Sequence, residues 1–581
     1  MSHVGESTHV SASEPDPTTA DRTAAERFLR SFHRHGVEYV FANLGTDHTP
    51  LLEAAAAVRR AGDEDAIPDI VSCPHEFAAM SAAHGYAAVT GEPQVVLVHV
   101  DVGTQNLGAA MHNAHRAGAP VYVLAGLAPV TDAGHSGSRD HPVHYFQDVF
   151  DQPGIVREYC RWVDQYRPPA DPAETVRRGL ERAVSEPAGP VYVTATREAL
   201  SETVEPTPAT AARRRVGPGG ADGDETDRLL DLVRDADRPA VITSDLGRAP
   251  AEERVEALVT FAEAAGAGVV EQTPTTLCFP RDHGQHVGYD PTVALERADL
   301  VILADTDVPW IPDGDAVATD ATVVQVDPDP TKPAFPRWPF AVDESIQADA
   351  AATLSAVADR LDAANEDAES LWRDVAAERR ADAEARLSAD TEAGRLTPTV
   401  LSDAVESIVD EETIVVEDAV TSRPAIMSQI RLSEPGSYFW KGGAGLGWAG
   451  GAGVGAKLAS PDSRVISLVG DGSYLFANPS ACALLAAEYD APTLTVVYDN
   501  QGWNAVEGAT TAQYPDGAAA ADAVPESHIE TTMDLSAPAT LVDAHTRVVD
   551  DPDELPGALT DAVEAVEDGT PAVLDVKVER P

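Results

Sequence analysis

Two stretches in the last third of the chain carry residues able to hold an anion and a cation together. The run RVISLV ends in Gly470-Asp471-Gly472-Ser473, and the run TLTVVY ends in Asp499-Asn500-Gln501-Gly502. Both are β-branched runs followed by turn residues. Their polar groups therefore fall at carboxyl ends of strands, the edge where open α/β sheets bind ligands. Glycine lets main-chain N–H groups approach a diphosphate, while the Asp471 carboxylate and the Asn500 side-chain oxygen are hard donors suited to a small divalent cation such as magnesium. Far upstream, Glu76 opens a helix after the strand-like PDIVS, and His99 closes the strand-like VVLVHV. A carboxyl group held away from water keeps its proton more tightly, and an imidazole at a strand's end is placed to act as acid or base.

The stretch GDGSYLFANPSACALLAAEYDAPTLTVVYDN resembles the cofactor signature of the thiamine diphosphate enzymes of the acetolactate synthase, pyruvate oxidase and benzoylformate decarboxylase superfamily. In that signature GDG is followed, after a spacer, by Asn preceded by Asn or Asp. By this resemblance Asp471 and Asn500 are Mg2+ ligands, with the main-chain carbonyl of Gly502 a third. Gly470, Gly472 and Ser473 hold the diphosphate, and Asp499 stands in for the commoner first Asn. The segment PGSYFWKGGAGLGWAGG looks like the family's approach to the motif, with Leu446 as the apolar wedge that bends the coenzyme into a V. Thr421 and Ser422, after IVVEDAV, are further diphosphate contacts.

Pro74-His75-Glu76 followed by AHGYAAVTG resembles the first-domain motif and puts Glu76 on the activating glutamate. Its carboxyl group shifts the aminopyrimidine to the imino tautomer, which removes the C2 proton. Asn106, in GTQN, orients the pyrimidine. His99 and Thr46, the latter in NLGTDHTP, match an active-site histidine and serine of the benzoylformate decarboxylase branch, and His283, in PRDHGQHVG, is a candidate second histidine. Phe146-Gln147-Asp148 resembles the synthases' Phe-Gln-Glu segment. Their Ser-Gly-Pro-Gly turn is replaced by Asp101-Val102-Gly103-Thr104, and Arg161 is nearest to their downstream lysine. Some members carry FAD. None is expected here, because the first strand-like run of the middle region continues as ITSDLGRAP, without G-x-G-x-x-G.

Positioning these groups requires several sheets. Strand-like runs alternate with alanine-rich helical stretches in three successive regions, which predicts three doubly wound parallel α/β domains in series. Residues 1–20 are expected as a disordered tail, 21–205 as the pyrimidine-binding domain, 225–350 as a central domain, 351–395 as a helical connector and 396–581 as the diphosphate-binding domain. The glycine- and proline-rich segment from Arg213 to Asp224 marks a linker, and the polar stretch from Gly508 to Asp534, with little periodicity, is expected to be a functional loop or lid.

Composition narrows the setting. A chain of 581 residues with 41 basic and 96 acidic side chains carries a net charge of -55, which repels phosphate backbones and anionic lipids and argues against nucleic-acid or membrane partners. Lysine appears only at 332, 441, 457 and 577. The acid is spread along folded-looking sequence, as in a halophile's protein, where salt screens self-repulsion. Four scattered cysteines and the absence of a leader or long apolar run fit the cytoplasm.

The resemblance implies an enzyme dependent on thiamine diphosphate and magnesium that decarboxylates 2-oxo acids through a C2 ylid and an enamine. The first reading is acetolactate synthase-like, with acyl transfer to a second 2-oxo acid. Aldehyde release by a non-oxidative decarboxylase is the alternative, and a catalytically silent cofactor-binding subunit a third. A homodimer or homotetramer with active sites between subunits goes with the resemblance.

Overall fold

The computed structural model describes residues 22–205, 212–312, 321–362, 364–522, 524–529 and 533–580. The tail expected at 1–20 lies outside them. Three sheets dominate, each of six strands, and the strands within each pair in parallel. The first holds β1 (Tyr39–Ala42), β2 (Asp69–Ser72), β3 (Gln94–Val98), β4 (Val121–Leu127), β5 (Trp162–Gln165) and β6 (Val191–Thr196). The second holds β7 (Pro239–Thr243), β8 (Gly268–Glu271), β9 (His286–Gly288), β10 (Leu300–Ala304), β11 (Thr322–Asp327) and β12 (Glu344–Gln347). The third holds β13 (Thr413–Asp418), β14 (Tyr438–Trp440), β15 (Arg464–Gly470), β16 (Leu494–Asp499), β17 (His545–Val549) and β18 (Ala572–Lys577). Central strands such as β3, β6 and β10 are buried at every position, which is why they read as continuous apolar runs.

The spatial order is β2-β1-β3-β4-β6-β5 in the first sheet and β14-β13-β15-β16-β18-β17 in the third, one topology used twice. The central sheet follows β9-β8-β7-β10-β11-β12 instead. All three are doubly wound, as the alternation of runs predicts.

Six helices matter for the site: α1 (Glu76–Thr90), α2 (Val100–Arg116), α3 (Ala350–Ala358), α4 (Glu366–Glu392), α5 (Trp448–Ala459) and α6 (Asn504–Gln513). In α1 every residue from Glu76 to Ala87 is buried, the mark of a helix packed on all sides. One side covers the first sheet. The other meets α5, whose sequence WAGGAGVGAKLA is helical despite four glycines, each unfavourable by about 1 kcal/mol against alanine. Packing explains them. A Cβ on Gly455 would overlap the carbonyl of Ala82, and one on Gly451 would lie 2.7 Å from the carbonyl of Ala78. The rings of His84 and Trp448 meet in the same interface, with centroids 4.9 Å apart.

Two expectations need correction. Leu354 and Val357 of α3 sit in the central core, so the central unit runs past residue 350 and the connector is α4 alone. Alanine-rich α3 shows no charged face and merges with its neighbours in sequence. The segment from Gly508 is not structureless: α6 extends to Gln513, a second helix covers Ala518–Asp522, and a helical turn covers Pro525–Ser527. No residue of α6 is buried, so it has no apolar stripe for periodicity to detect.

The α1–α5 contact predicts a graded response. Gly455→Ala should destabilise the protein by about 1–3 kcal/mol, because backbone must move to admit the methyl group. Gly508→Ala, where a Cβ meets nothing within 4 Å, should be neutral or slightly stabilising. Thermal unfolding of the two variants checks this; equal melting points would remove the packing argument.

Candidate active site

In the third domain, β15 and β16 deliver the predicted oxygen set to one place. The Asp471 carboxylate is buried and accepts from its neighbour Gly472 N–H at 2.7 Å and from Gly502 N–H at 2.9 Å. Burial pushes its pKa up to about 6; the two backbone bonds pull the other way and Asp499 adds to the rise. The Asn500 side chain donates to the Thr421 hydroxyl at 3.2 Å, while its Oδ1 is buried with no hydrogen-bond partner. A buried acceptor without a donor is unfavourable. Together with a buried carboxylate it is a set that a hard cation satisfies, and magnesium fits it. Gly470 borders open space, since a Cβ there meets only Ala419 at 4.0 Å, whereas Gly472 is required by the Trp503 ring packed against it.

Ser473 and the Leu446 turn are joined by a residue that the sequence reading passed over. Asp418, at the end of β13 and fully buried, accepts from Lys441 at 2.5 Å, from Gly447 N–H at 2.7 Å, from Trp448 N–H at 2.8 Å and from the Ser473 hydroxyl at 3.2 Å. It therefore fixes the start of α5, the turn that presents half-buried Leu446, and the GDGS segment with one carboxylate. The strand-end rule that found Asp471 applies equally to Asp418. Ser422 is buried at the start of the helix Arg423–Gln429.

The first domain holds the other half. Glu76 is buried at the start of α1, and Asn106 donates to its Oε2 at 2.9 Å; beside Oε1 stands Gly103, where a Cβ would come within 3.1 Å. Asn106 thus positions the carboxyl group of Glu76. His99 lies immediately before α2, and its Nδ1 is 2.5 Å from Asp47 Oδ1. The other Asp47 oxygen accepts from Val100 N–H at 3.2 Å, and Val100 has a φ of 37°, strained for a β-branched residue. Asp47 is wedged tightly, because a Cβ on Gly126 would overlap its carboxylate and one on Gly45 would overlap the His99 ring.

The electrostatics follow from this pair. The Asp47 hydrogen bond raises the His99 pKa, against the effect of burial, with Gln147 assisting. Burial alone would push the Asp47 carboxyl group up, but the bond from His99 and the nearby His48 hold it below its usual range. Burial lowers the pKa of His48. Thr46 is exposed at the turn before Asp47. His283 lies in the central domain, where it packs on Phe279 and sits 3.4 Å from Glu263. Asp47 had no sequence signal beyond adjacency to Thr46, since its role needs β3 and β4 beside it.

Three doubly wound sheets with these strand-end groups define a class, and the comparisons agree. The solved Rhodococcus jostii RHA1 thiamine diphosphate-dependent 4-hydroxybenzoylformate decarboxylase superposes with a TM-score of 0.79 at 21% identity, over 96% of this chain and all of that one. Benzoylformate decarboxylase from Polynucleobacter necessarius superposes at 0.76 and 18% identity, over 96% of this chain and 99% of that one. Family profiles for the thiamine pyrophosphate enzymes match in all three domains: the N-terminal TPP binding domain over 22–155, the central domain over 226–357 and the C-terminal TPP binding domain over 419–576. The chain belongs to the thiamine pyrophosphate (thiamine diphosphate) enzymes. Relatives include benzoylformate decarboxylase of Pseudomonas aeruginosa, 25% identical over 81% of this chain and 85% of that one. A probable acetolactate synthase large subunit of Methanocaldococcus jannaschii is 23% identical over 82% and 80%.

Because Asp47 holds the proton on His99, Asp47→Asn should move the His99 titration to lower pH, and the imidazolium should be lost earlier as pH rises. NMR titration of labelled histidines measures this; an unmoved His99 curve would separate the two residues electrostatically.

Proposed function

We propose that this chain is a thiamine diphosphate- and magnesium-dependent enzyme that removes carbon dioxide from 2-oxo acids. The observation that carries the reading is the pairing of a buried, Asn106-anchored Glu76 carboxyl group in one domain with the Asp471 and Asn500 oxygens in another. Bound thiamine diphosphate supplies a thiazolium ring that takes up the electron pair left when carbon dioxide departs. Asp471, Asn500 and the Gly502 carbonyl would hold the cation, and Gly470, Gly472 and Ser473, with Thr421 and Ser422, would hold the diphosphate. Leu446, on the turn that Asp418 anchors, would lie against the bound coenzyme. Glu76 would share a proton at a carboxyl oxygen with the bound pyrimidine ring.

The fate of the acyl unit turns on His99. An imidazolium held by Asp47 can deliver a proton from Nε2 to the carbon that loses carbon dioxide, which favours aldehyde release, the reading for a decarboxylase. Gln147, beside His99 and within the Phe-Gln-Asp segment, favours the synthase-like reading in which a second 2-oxo acid accepts the unit. A flavin is outside the proposal. The crevice at the ends of β7, β10 and β11 mixes Asp245, Asp305, Asp307 and Asp327 with Arg116, Arg161 and Arg248, and its Lys332 is bound to two of the carboxylates.

A second copy completes the proposed site. Glu76 is hydrogen-bonded within its own domain, and the segment carrying Gln147 exposes Tyr145, Phe146 and Phe150, apolar surface suited to a homodimer or a homotetramer. In cells the proposed setting is a salt-rich cytoplasm; no helix among the described residues is long and apolar enough to cross a membrane.

Incubation with a panel of 2-oxo acids, coenzyme and magnesium at high salt should release carbon dioxide, and product analysis separates aldehydes from acyloin-type acids. Glu76→Gln should lower turnover by about 10²–10⁴-fold while coenzyme still binds. No carbon dioxide from any panel member would end the proposal.

A further inference from the structure

The penultimate residue reaches back to the cation turn. Arg580 donates from Nε to the Asn500 carbonyl at 3.1 Å and from Nη2 to the Gln501 carbonyl at 2.7 Å, while Nη1 lies against both ring nitrogens of His528. His528 is held in turn by Glu507 of α6 at 3.2 Å, and the Ser527 hydroxyl donates to the same carboxylate at 3.2 Å. Backbone bonds close the arrangement: Trp503 N–H to the Ser527 carbonyl at 2.7 Å, and Ile529 N–H to the Gln501 carbonyl at 3.0 Å.

These contacts converge on one strained residue. Gln501 has a φ of 60°, left-handed backbone that non-glycine residues avoid at a cost of about 1–3 kcal/mol. That conformation, between Asn500 and Gly502, turns Gly502 N–H onto the Asp471 carboxylate at 2.9 Å. A guanidinium matches two successive carbonyls well, because its donors are fixed in a planar fork. Charge-assisted bonds of this kind are stronger than neutral ones.

We propose that Arg580 is a positioning residue for the cation site: its guanidinium holds Gln501 in its left-handed conformation and so aims the Asn500 and Gly502 oxygens together with Asp471. The inference rests on the reading above that these three residues hold Mg2+. Loss of the fork frees the turn to relax, and the ion then keeps Asp471 but loses the ordered partners.

Calorimetric titration of Mg2+ into the full-length protein with thiamine diphosphate present tests this, with circular dichroism and a thermal melt on each variant. Arg580→Ala should weaken Mg2+ binding roughly tenfold or more. Adding Gln501→Gly to Arg580→Ala should recover most of that loss, since glycine adopts the left-handed conformation without steric penalty; adding Gln501→Ala should not. Arg580→Lys, which keeps the charge without the planar fork, should weaken binding as Arg580→Ala does. Unchanged binding in a folded Arg580→Ala, a loss that Gln501→Gly fails to recover, or full affinity with lysine would overturn the inference alone. Wild-type protein that takes up no Mg2+ with the coenzyme would overturn the reading of the site and the inference with it.

Discussion

Backbone touches backbone where α1 crosses α5, and the rest of the molecule is arranged around that approach. Gly451 and Gly455 leave out the side chains that would separate the helices, so the carbonyls of Ala78 and Ala82 occupy the space. Glu76 stands at the start of one helix, and the Leu446 turn runs directly into the other. A close contact between the two helices therefore ties the domain carrying Glu76 to the domain carrying Asp471 and Asn500. Asp418 continues the same constraint inward by fastening the start of α5 to Ser473.

Charge is handled differently inside and outside. The surface is strongly acidic, and long-range repulsion there is weakened by salt. Inside, each important carboxylate has donors: Asp47 has His99 and Val100, Asp418 has Lys441 and two backbone N–H groups, and Asp471 has two backbone N–H groups. Burying an unpaired charge would be far more costly. Three of the four lysines share this inward role. Lys332, Lys441 and Lys577 pair with acids below the surface, and Lys457 donates to the carbonyls of Pro461 and Ser463 after α5.

The repeated topology of the first and third sheets carries no visible sequence repeat. Strand order depends on which crossover passes to which face, whereas each strand needs only an apolar β-branched run. Two domains can therefore share an architecture while no segment of one resembles a segment of the other. The central sheet, with a different order, borders a crevice lined by both aspartates and arginines at the ends of its strands.

Strand runs, the α/β class and the oxygen set at Asp471 and Asn500 were legible in the chain because they depend on neighbours in sequence: alternation of runs, a strand's end, a turn of glycines. Glu76 was legible only through its motif, since a glutamate in the first turn of a helix is common. Asp47 on His99, Asp418 on Ser473 and Arg580 on Gln501 join residues 52, 55 and 79 positions apart. No local pattern encodes such bonds, because the partner is chosen by which strands lie side by side and by how closely glycine lets backbones approach. Residue types and their strand-end placement follow from local physics; which of them touch, and in which state of charge, follows from packing in three dimensions.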